Sequence, residues 1–351
     1  MKKIKLLILL VIVAAVCSGA IYLYKKESAS ALPQNNNLKA QSETQNNQII
    51  LNPLSIEAMR QKSYPGSDLV IEKTLSAGSN YNQYIASYES EGLKIYGLLT
   101  VPVGKKPEAG WPVIIFNHGY IQPSLYQTTE RYVAYVDALA RNNYIVFKPD
   151  LRGNGNSQGQ PEGAYYSPAY ATDVLNALES LKRYQDADPE KIGMWGHSMG
   201  GNITLRDIVV DTKGIKAAVI WGGVVGTYDD LINNWQRAVK YQPPPQDLAL
   251  RNNHRKEIID KYGTPQNNPE FWQSIDPTYF LADVNTPVQL HTGGNDEEVP
   301  VAFSVNLKQK LEQAGKTVEY YNYPGGDHNI SSPDFSLAMK RTVDFFNKYL
   351  K

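Results

Sequence analysis

The segment Gly196-His197-Ser198-Met199-Gly200-Gly201 constrains this 351-residue chain more than any other feature. It follows the apolar strand-like run Lys191–Trp195 and opens into the helical pattern Asn202–Val210. A serine between glycines at a strand-to-helix junction implies a turn too tight for neighbouring side chains, with a strained serine backbone. Such a turn lifts the hydroxyl to the C-terminal edge of a sheet, above a helix N-terminus that favours negative charge. The fold must therefore feed strands into helices.

The rest of the chain is laid out in that way. Residues Tyr81–Pro102 alternate like paired strands, with Glu91-Gly92 as the turn between them. Beyond Trp111, short unbroken apolar runs recur at Val113–Asn117, Tyr144–Lys148, Ile192–Trp195, Ala217–Trp221 and Val288–His291. Runs of this kind suit strands buried on both faces. Between them lie helical spacings: Tyr166, Tyr170, Val174, Leu178 and Leu181, then Phe335, Met339, Val343, Phe346 and Leu350, entered through Ser332 and Pro333. The alternation predicts an α/β fold, a mainly parallel sheet with helices on both faces. The interval Gly226–Asp283 breaks the rhythm with Pro243-Pro244-Pro245 and a polar helix near Arg251–Lys261, and is expected to be a small helical cap insertion. It leaves from the C-terminal end of Ala217–Trp221, the sheet edge where such folds bind ligands. Trp235 and Trp272 are its candidate substrate-binding residues.

A nucleophilic Ser198 needs a base and an acid that orients the base. Of the five histidines, His197 points back into the turn, His118 ends a strand, His291 lies within one, and His254 reads as a surface residue of the insertion. His328 remains, on the loop Pro324-Gly325-Gly326-Asp327 after the strand Val318–Tyr323. Asp296, carried past Val288–His291 by Thr292-Gly293-Gly294-Asn295, is the candidate acid; Glu297, Glu298 and Asp283 are its rivals. The order Ser198, Asp296, His328 is the one expected for this layout and differs from two other common serine-protease orders. The backbone N–H of Met199 is one candidate oxyanion donor, and Tyr120, through its N–H or its phenol, is the second.

Composition narrows the functional classes. Lys+Arg and Asp+Glu both number 35, so no basic footprint for nucleic acid exists. One cysteine, Cys17, excludes a disulfide framework and a cysteine zinc site. Gly153-Asn154-Gly155-Asn156-Ser157-Gln158-Gly159 imitates a dinucleotide loop, but Gln160-Pro161-Glu162-Gly163 follows where a helix is required, and Asp150-Leu151-Arg152-Gly153 reads as a structural turn beside the site. No nucleotide, metal or other cofactor is indicated.

The N-terminus is a separate matter. Residues 6–24 are uncharged and reach roughly 28 Å as a helix, against a hydrocarbon thickness of ~30 Å. Lysines flank them, three before and two after, so a membrane anchor over 1–27 with an extracytoplasmic body is the expectation. A cleaved signal peptide ending near Ser18-Gly19-Ala20, hence a secreted protein, and lipid attachment at Cys17 are the alternatives. Nine of the 15 residues from Gln34 to Gln48 are Asn or Gln, which marks 28–50 as a flexible tether ahead of a domain over 51–351.

From about Ile85 onward the chain resembles the α/β-hydrolase superfamily, and more closely the catalytic domain of the prolyl oligopeptidase family. The resemblance rests on Glu91-Gly92-Leu93-Lys94-Ile95-Tyr96-Gly97, Asn117-His118-Gly119, Asp150-Leu151-Arg152-Gly153, the Ser198 segment, and Gly293 to Pro300 with Ser304, Leu307, Leu311 and Tyr323-Pro324…His328. It implies an α/β-hydrolase fold, a Ser198–Asp296–His328 triad and a peptidase acting on short peptides. A carboxylesterase for acyl esters or acylated sugars is the second reading, and a catalytically silent binding domain a third. Full-size members of the family carry a β-propeller ahead of this domain. Here fewer than 50 residues separate the tether from the first strands.

Overall fold

In a computed structural model the described residues are 51–237 and 245–351. The expected anchor and tether lie outside them. Among the described residues no helix is long and apolar enough to cross a membrane.

The framework is a nine-stranded sheet: β1 (Val70–Thr74), β2 (Tyr81–Ser90), β3 (Leu93–Pro102), β4 (Trp111–Asn117), β5 (Ile145–Pro149), β6 (Ala187–His197), β7 (Ala217–Trp221), β8 (Val288–Gly293) and β9 (Val318–Tyr323). Their spatial order is β1-β2-β3-β5-β4-β6-β7-β8-β9. The first three pairings are antiparallel and the rest parallel. The β2–β3 hairpin turns at Glu91 and Gly92, both with positive φ, as a two-residue hairpin loop requires.

Burial explains the layers. Along β4, Val113 and Ile115 belong to one core cluster while Ile114 and Phe116 belong to another. The same alternation divides Met194 from Trp195 in β6, and Ala218 and Ile220 from Val219 and Trp221 in β7. Helices cover both clusters, at roughly 1.5–3 kcal/mol per fully buried large aliphatic or aromatic side chain. On one face lie α3 (Ala169–Lys182), α4 (Met199–Val210) and α7 (Val301–Gln313), after the short α1 (Ile56–Gln61). On the other lie α2 (Val133–Ala140) and α8 (Phe335–Leu350). Between β7 and β8 run α5 (Pro245–Tyr262) and α6 (Pro269–Ile275).

One strand went unannounced and two local expectations are revised. Strand β1 has all five residues exposed, so no apolar alternation announces it. Helix α3 begins at Ala169 behind Pro168, which leaves Tyr166 in a loop. Helix α8 begins at Phe335 with Asp334, rather than Ser332, at its N-cap.

Candidate active site

Strand β6 delivers Ser198 to the sheet edge with φ 54° and ψ −116°, a conformation disfavoured for any L-residue. Three backbone bonds hold it: its N–H donates to Trp221 O at 3.0 Å, and its carbonyl accepts from Gly201 and Val224, each at 3.0 Å. The glycines around it are close-approach positions. A Cβ on Gly200 would fall 1.9 Å from Asn117 O, and one on Gly196 would fall 2.4 Å from Gly200 O. The strain is thus imposed from several sides at once.

His328 and Asp296 arrive on the loops after β9 and β8. The His328 Nδ1–H donates to Asp296 Oδ2 at 2.7 Å, which fixes the tautomer and leaves Nε2 as the candidate base. The other carboxylate oxygen, Oδ1, accepts the backbone N–H groups of Glu298 at 2.8 Å and Val299 at 2.9 Å. Both side chains are nearly buried, at 8% and 2% exposure. Gly222, with φ +50°, passes so near that a Cβ there would meet His328 Nδ1 at 3.1 Å and Asp296 Oδ2 at 3.3 Å. The rival acids are engaged elsewhere: Glu298 pairs with Arg237 at 2.6 Å and Asp283 with Arg60 at 3.0 Å, while Glu297 is exposed.

A second network ties the serine turn to the histidine loop. His197 is buried, and burial pushes its imidazole down to about 3, so it is neutral. Its Nε2 faces the His328 carbonyl at 3.0 Å and must carry the proton. Its Nδ1 then accepts from the Tyr132 hydroxyl at 2.7 Å, and that oxygen accepts the Gly119 N–H at 2.9 Å. Gly119 lies against Ser198, since a Cβ there would approach Ser198 Cβ to 3.2 Å. Tyr120 therefore follows directly beside the serine, and both Tyr120 and Met199 line the cavity that Ser198 opens into.

This cavity measures about 560 Å³. Its walls hold Tyr132, Tyr135, Tyr165, Tyr166 and Tyr170, with Trp235, Arg237 and His254 from the insertion. Trp235 meets Tyr165 edge-on at 5.6 Å, and its indole N–H donates to Glu298 O at 2.8 Å. Trp272 is not a cavity residue. It is 2% exposed and packs with Tyr228, Ile258, Phe271 and Ile275 in the insertion's own core, its indole N–H bound to Gly263 O at 3.0 Å. His254, read from the sequence as a surface residue, is half-buried and lines the cavity, with Nδ1 3.0 Å from Glu162 O. Nothing local marks Arg131, Tyr132 or Arg237; folding alone brings them to Ser198.

The Gly153–Gly159 loop is a braced turn. Arg152 reaches Asp173 at 2.7 Å, both buried, and Gly153 N–H closes on Gln158 O at 3.0 Å. Asp150 accepts from Tyr126 at 2.9 Å and Thr128 at 2.6 Å, and burial lifts its carboxyl to about 6.

Residues 131–351, which contain all three candidate catalytic side chains, match the model of the prolyl oligopeptidase family. The chain belongs to the prolyl oligopeptidase family. It is 26% identical over 265 residues to the peptidase YtmA of Bacillus subtilis (strain 168), covering 74% of this chain and 92% of that one. The chain spans well under half the length of several other curated relatives it matches. Two solved structures share the fold. Pyrococcus horikoshii acylaminoacyl peptidase has a TM-score of 0.61 and 21% identity, covering 78% of this chain and 42% of that one. Acetyl xylan esterase from Paenibacillus sp. R4 has a TM-score of 0.60 and 18% identity, covering 84% and 92%. The sheet is thus an α/β-hydrolase sheet, and the chain is a serine hydrolase, a peptidase or esterase.

Proposed function

We propose that this chain is a serine peptidase of short peptides, with Ser198 as nucleophile, His328 as general base and Asp296 as its orienting acid. The observation that carries the reading is the 2.7 Å His328–Asp296 bond beside a strained Ser198 in one cavity. The Ser198 Oγ attacks the scissile carbonyl carbon as His328 Nε2 takes its proton. The N–H groups of Met199 and Tyr120 receive the developing oxyanion, each donor worth roughly 2.7–4 kcal/mol. As the tetrahedral intermediate collapses, His328 gives the proton to the departing amine, leaving an acyl-serine. Water, deprotonated by His328, then releases the acid.

The insertion over 226–283 acts as a cap, with Trp235, Arg237 and His254 as its contribution to the cavity. An esterase reading has its own support: the acetyl xylan esterase shares the fold over 92% of its length, without a propeller-sized remainder. For location, the apolar segment 6–24 with its flanking lysines supports a membrane-held, extracytoplasmic body.

One experiment addresses both parts. A fluorophosphonate applied to fractionated cells labels the full chain in the membrane fraction, and Ser198→Ala loses the label and at least about 10⁴-fold of the activity while keeping its fold. Equal labelling of the variant removes Ser198 as nucleophile; label recovered from the medium favours the secreted form. A panel of peptide amides and short-chain esters then separates the two substrate classes.

A further inference from the structure

The charges lining the cavity are unequally matched. Arg237 is paired with Glu298 at 2.6 Å. Glu162 lies 3.8 Å from Arg152 and accepts the Ser167 hydroxyl at 2.7 Å. Arg131 also lines the cavity, at its exposed rim, and among the described residues it forms no ion pair.

Its backbone is unusual as well. Arg131 and Tyr132 are consecutive non-glycine residues in the left-handed region, at φ 57° and 52°. Side chains are held there only when the surroundings over-determine them, and such positions cluster at functional sites. For Tyr132 the reason is visible in the Gly119 and His197 bonds. Arg131 has no comparable structural contact, yet it shares the turn that sets it over the cavity.

The wall that carries Arg131 is the wall of the histidine loop. Tyr132 reaches the His328 carbonyl through His197, and the Tyr135 hydroxyl donates to Asn329 O at 2.8 Å. The departing group takes its proton from His328, so it leaves along this side. An unmatched guanidinium on the leaving side calls for an anion on the leaving group, and planar carboxylate is its natural partner.

We propose that Arg131 binds a carboxylate on the leaving group, so that favoured substrates end in a free carboxylate close behind the scissile bond. This deepens the peptidase reading above and rests on it for the identity of the leaving group. The bond chemistry is unchanged: the amine that departs simply carries a carboxylate.

The test compares acetyl-Ala-Ala and acetyl-Ala-Ala-Ala with their C-terminal carboxamides, using the full-length chain. The free acids are expected to have kcat/KM higher by roughly three- to tenfold, chiefly through KM. In Arg131→Asn, chosen because Asn tolerates the left-handed backbone, the acid-to-amide ratio falls to about one; Arg131→Lys keeps part of it. A wild-type ratio near one, or an Arg131→Asn ratio equal to wild type, overturns the proposal. If neither peptide class is cleaved while an aryl ester is turned over at Ser198, the peptidase reading has failed. O-acetyl lactic acid against its carboxamide then decides the role of Arg131 by the same ratios. A chain that hydrolyses none of these overturns both.

Discussion

The floor and the roof of the cavity are built by different rules. In the floor, Ser198, His197, Tyr132, His328 and Asp296 are held by short bonds among largely buried groups, and two non-glycine backbones there, at Ser198 and Tyr132, are left-handed. The roof has its own small apolar core around Trp272. Among the described residues its polar links to the cavity walls are the Trp235 and Arg237 contacts to Glu298, the Tyr228 hydroxyl on Tyr165 O and the His254 contact to Glu162. Over-determined geometry suits an acyl-transfer centre, where a misplacement of about 1 Å costs roughly a hundredfold in rate. A roof attached by a few bonds can vary in shape without disturbing that centre. On the proposed reading of the insertion as a cap, chemistry and selection are separable in this molecule.

Acidification should strain the floor hardest. Burial holds His197 and His291 down to about 3 and His118 to about 4, against an ordinary histidine value near 6.5. The unfolded chain binds these protons first, so the stability due to neutral imidazoles is complete above about pH 6.5 and lost as pH falls toward 4 and below. Asp150, lifted to about 6, works in the opposite sense, gaining stability as pH falls from 6 to about 4, and burial raises Asp173, Asp207 and Asp276 in the same direction. The loss from the three histidines is on the order of several kcal/mol, at about 1.4 kcal/mol per pKa unit, and the raised carboxyls act against it. A His197 imidazole that titrates near 6.5 by NMR would break the contrast, because the floor would then contain no obligatorily neutral histidine.

The two tryptophans of the insertion divide its core from its cavity wall. Trp272→Ala is expected to cost about 3–5 kcal/mol of stability, with little change in the ratio of kcat/KM between bulky and small acyl groups. Trp235→Ala should move that ratio about tenfold with a smaller loss of stability. Thermal melts and a two-substrate assay check both. If Trp272→Ala moves the ratio as much as Trp235→Ala, the roof is mechanically coupled to the site rather than separable from it.

Tyr132→Phe sharpens the comparison at the smallest scale. The variant keeps the ring but removes both bonds that join Gly119 to His197. A drop in kcat of about tenfold, with KM nearly constant, is the expected signature of a positioning residue. A change in KM alone would make Tyr132 a substrate contact with no positioning role.

Much of this molecule is legible in the sequence because its information is local. The parallel strands show as unbroken apolar runs, and β7 and β9 occupy the spans read from Ala217–Trp221 and Val318–Tyr323. The glycines at 196, 200 and 201 betray the serine turn because a Cβ there would clash, and Glu91-Gly92 the hairpin because its loop asks for positive φ. Chain order alone brings Ser198, Asp296 and His328 forward as candidates, each at the end of a strand pointing the same way.

The tertiary structure decided what depends on distant neighbours. Tyr132 lies 65 residues from His197, and no periodicity predicts that its phenol would bridge Gly119 to that imidazole. Trp235 and Trp272 look alike in sequence, yet one faces the cavity and the other the insertion's own core. Strand β1 exists through its pairing with β2 rather than through any apolar pattern of its own. Arg131 is distinguished from the other arginines only by its surroundings: a left-handed turn, a cavity rim and no carboxylate partner among the described residues. Local patterns encode which backbone a segment adopts and which face it buries. Which side chain meets which polar atom is settled when the elements pack, where a single rotation of one loop exchanges a wall residue for a core one.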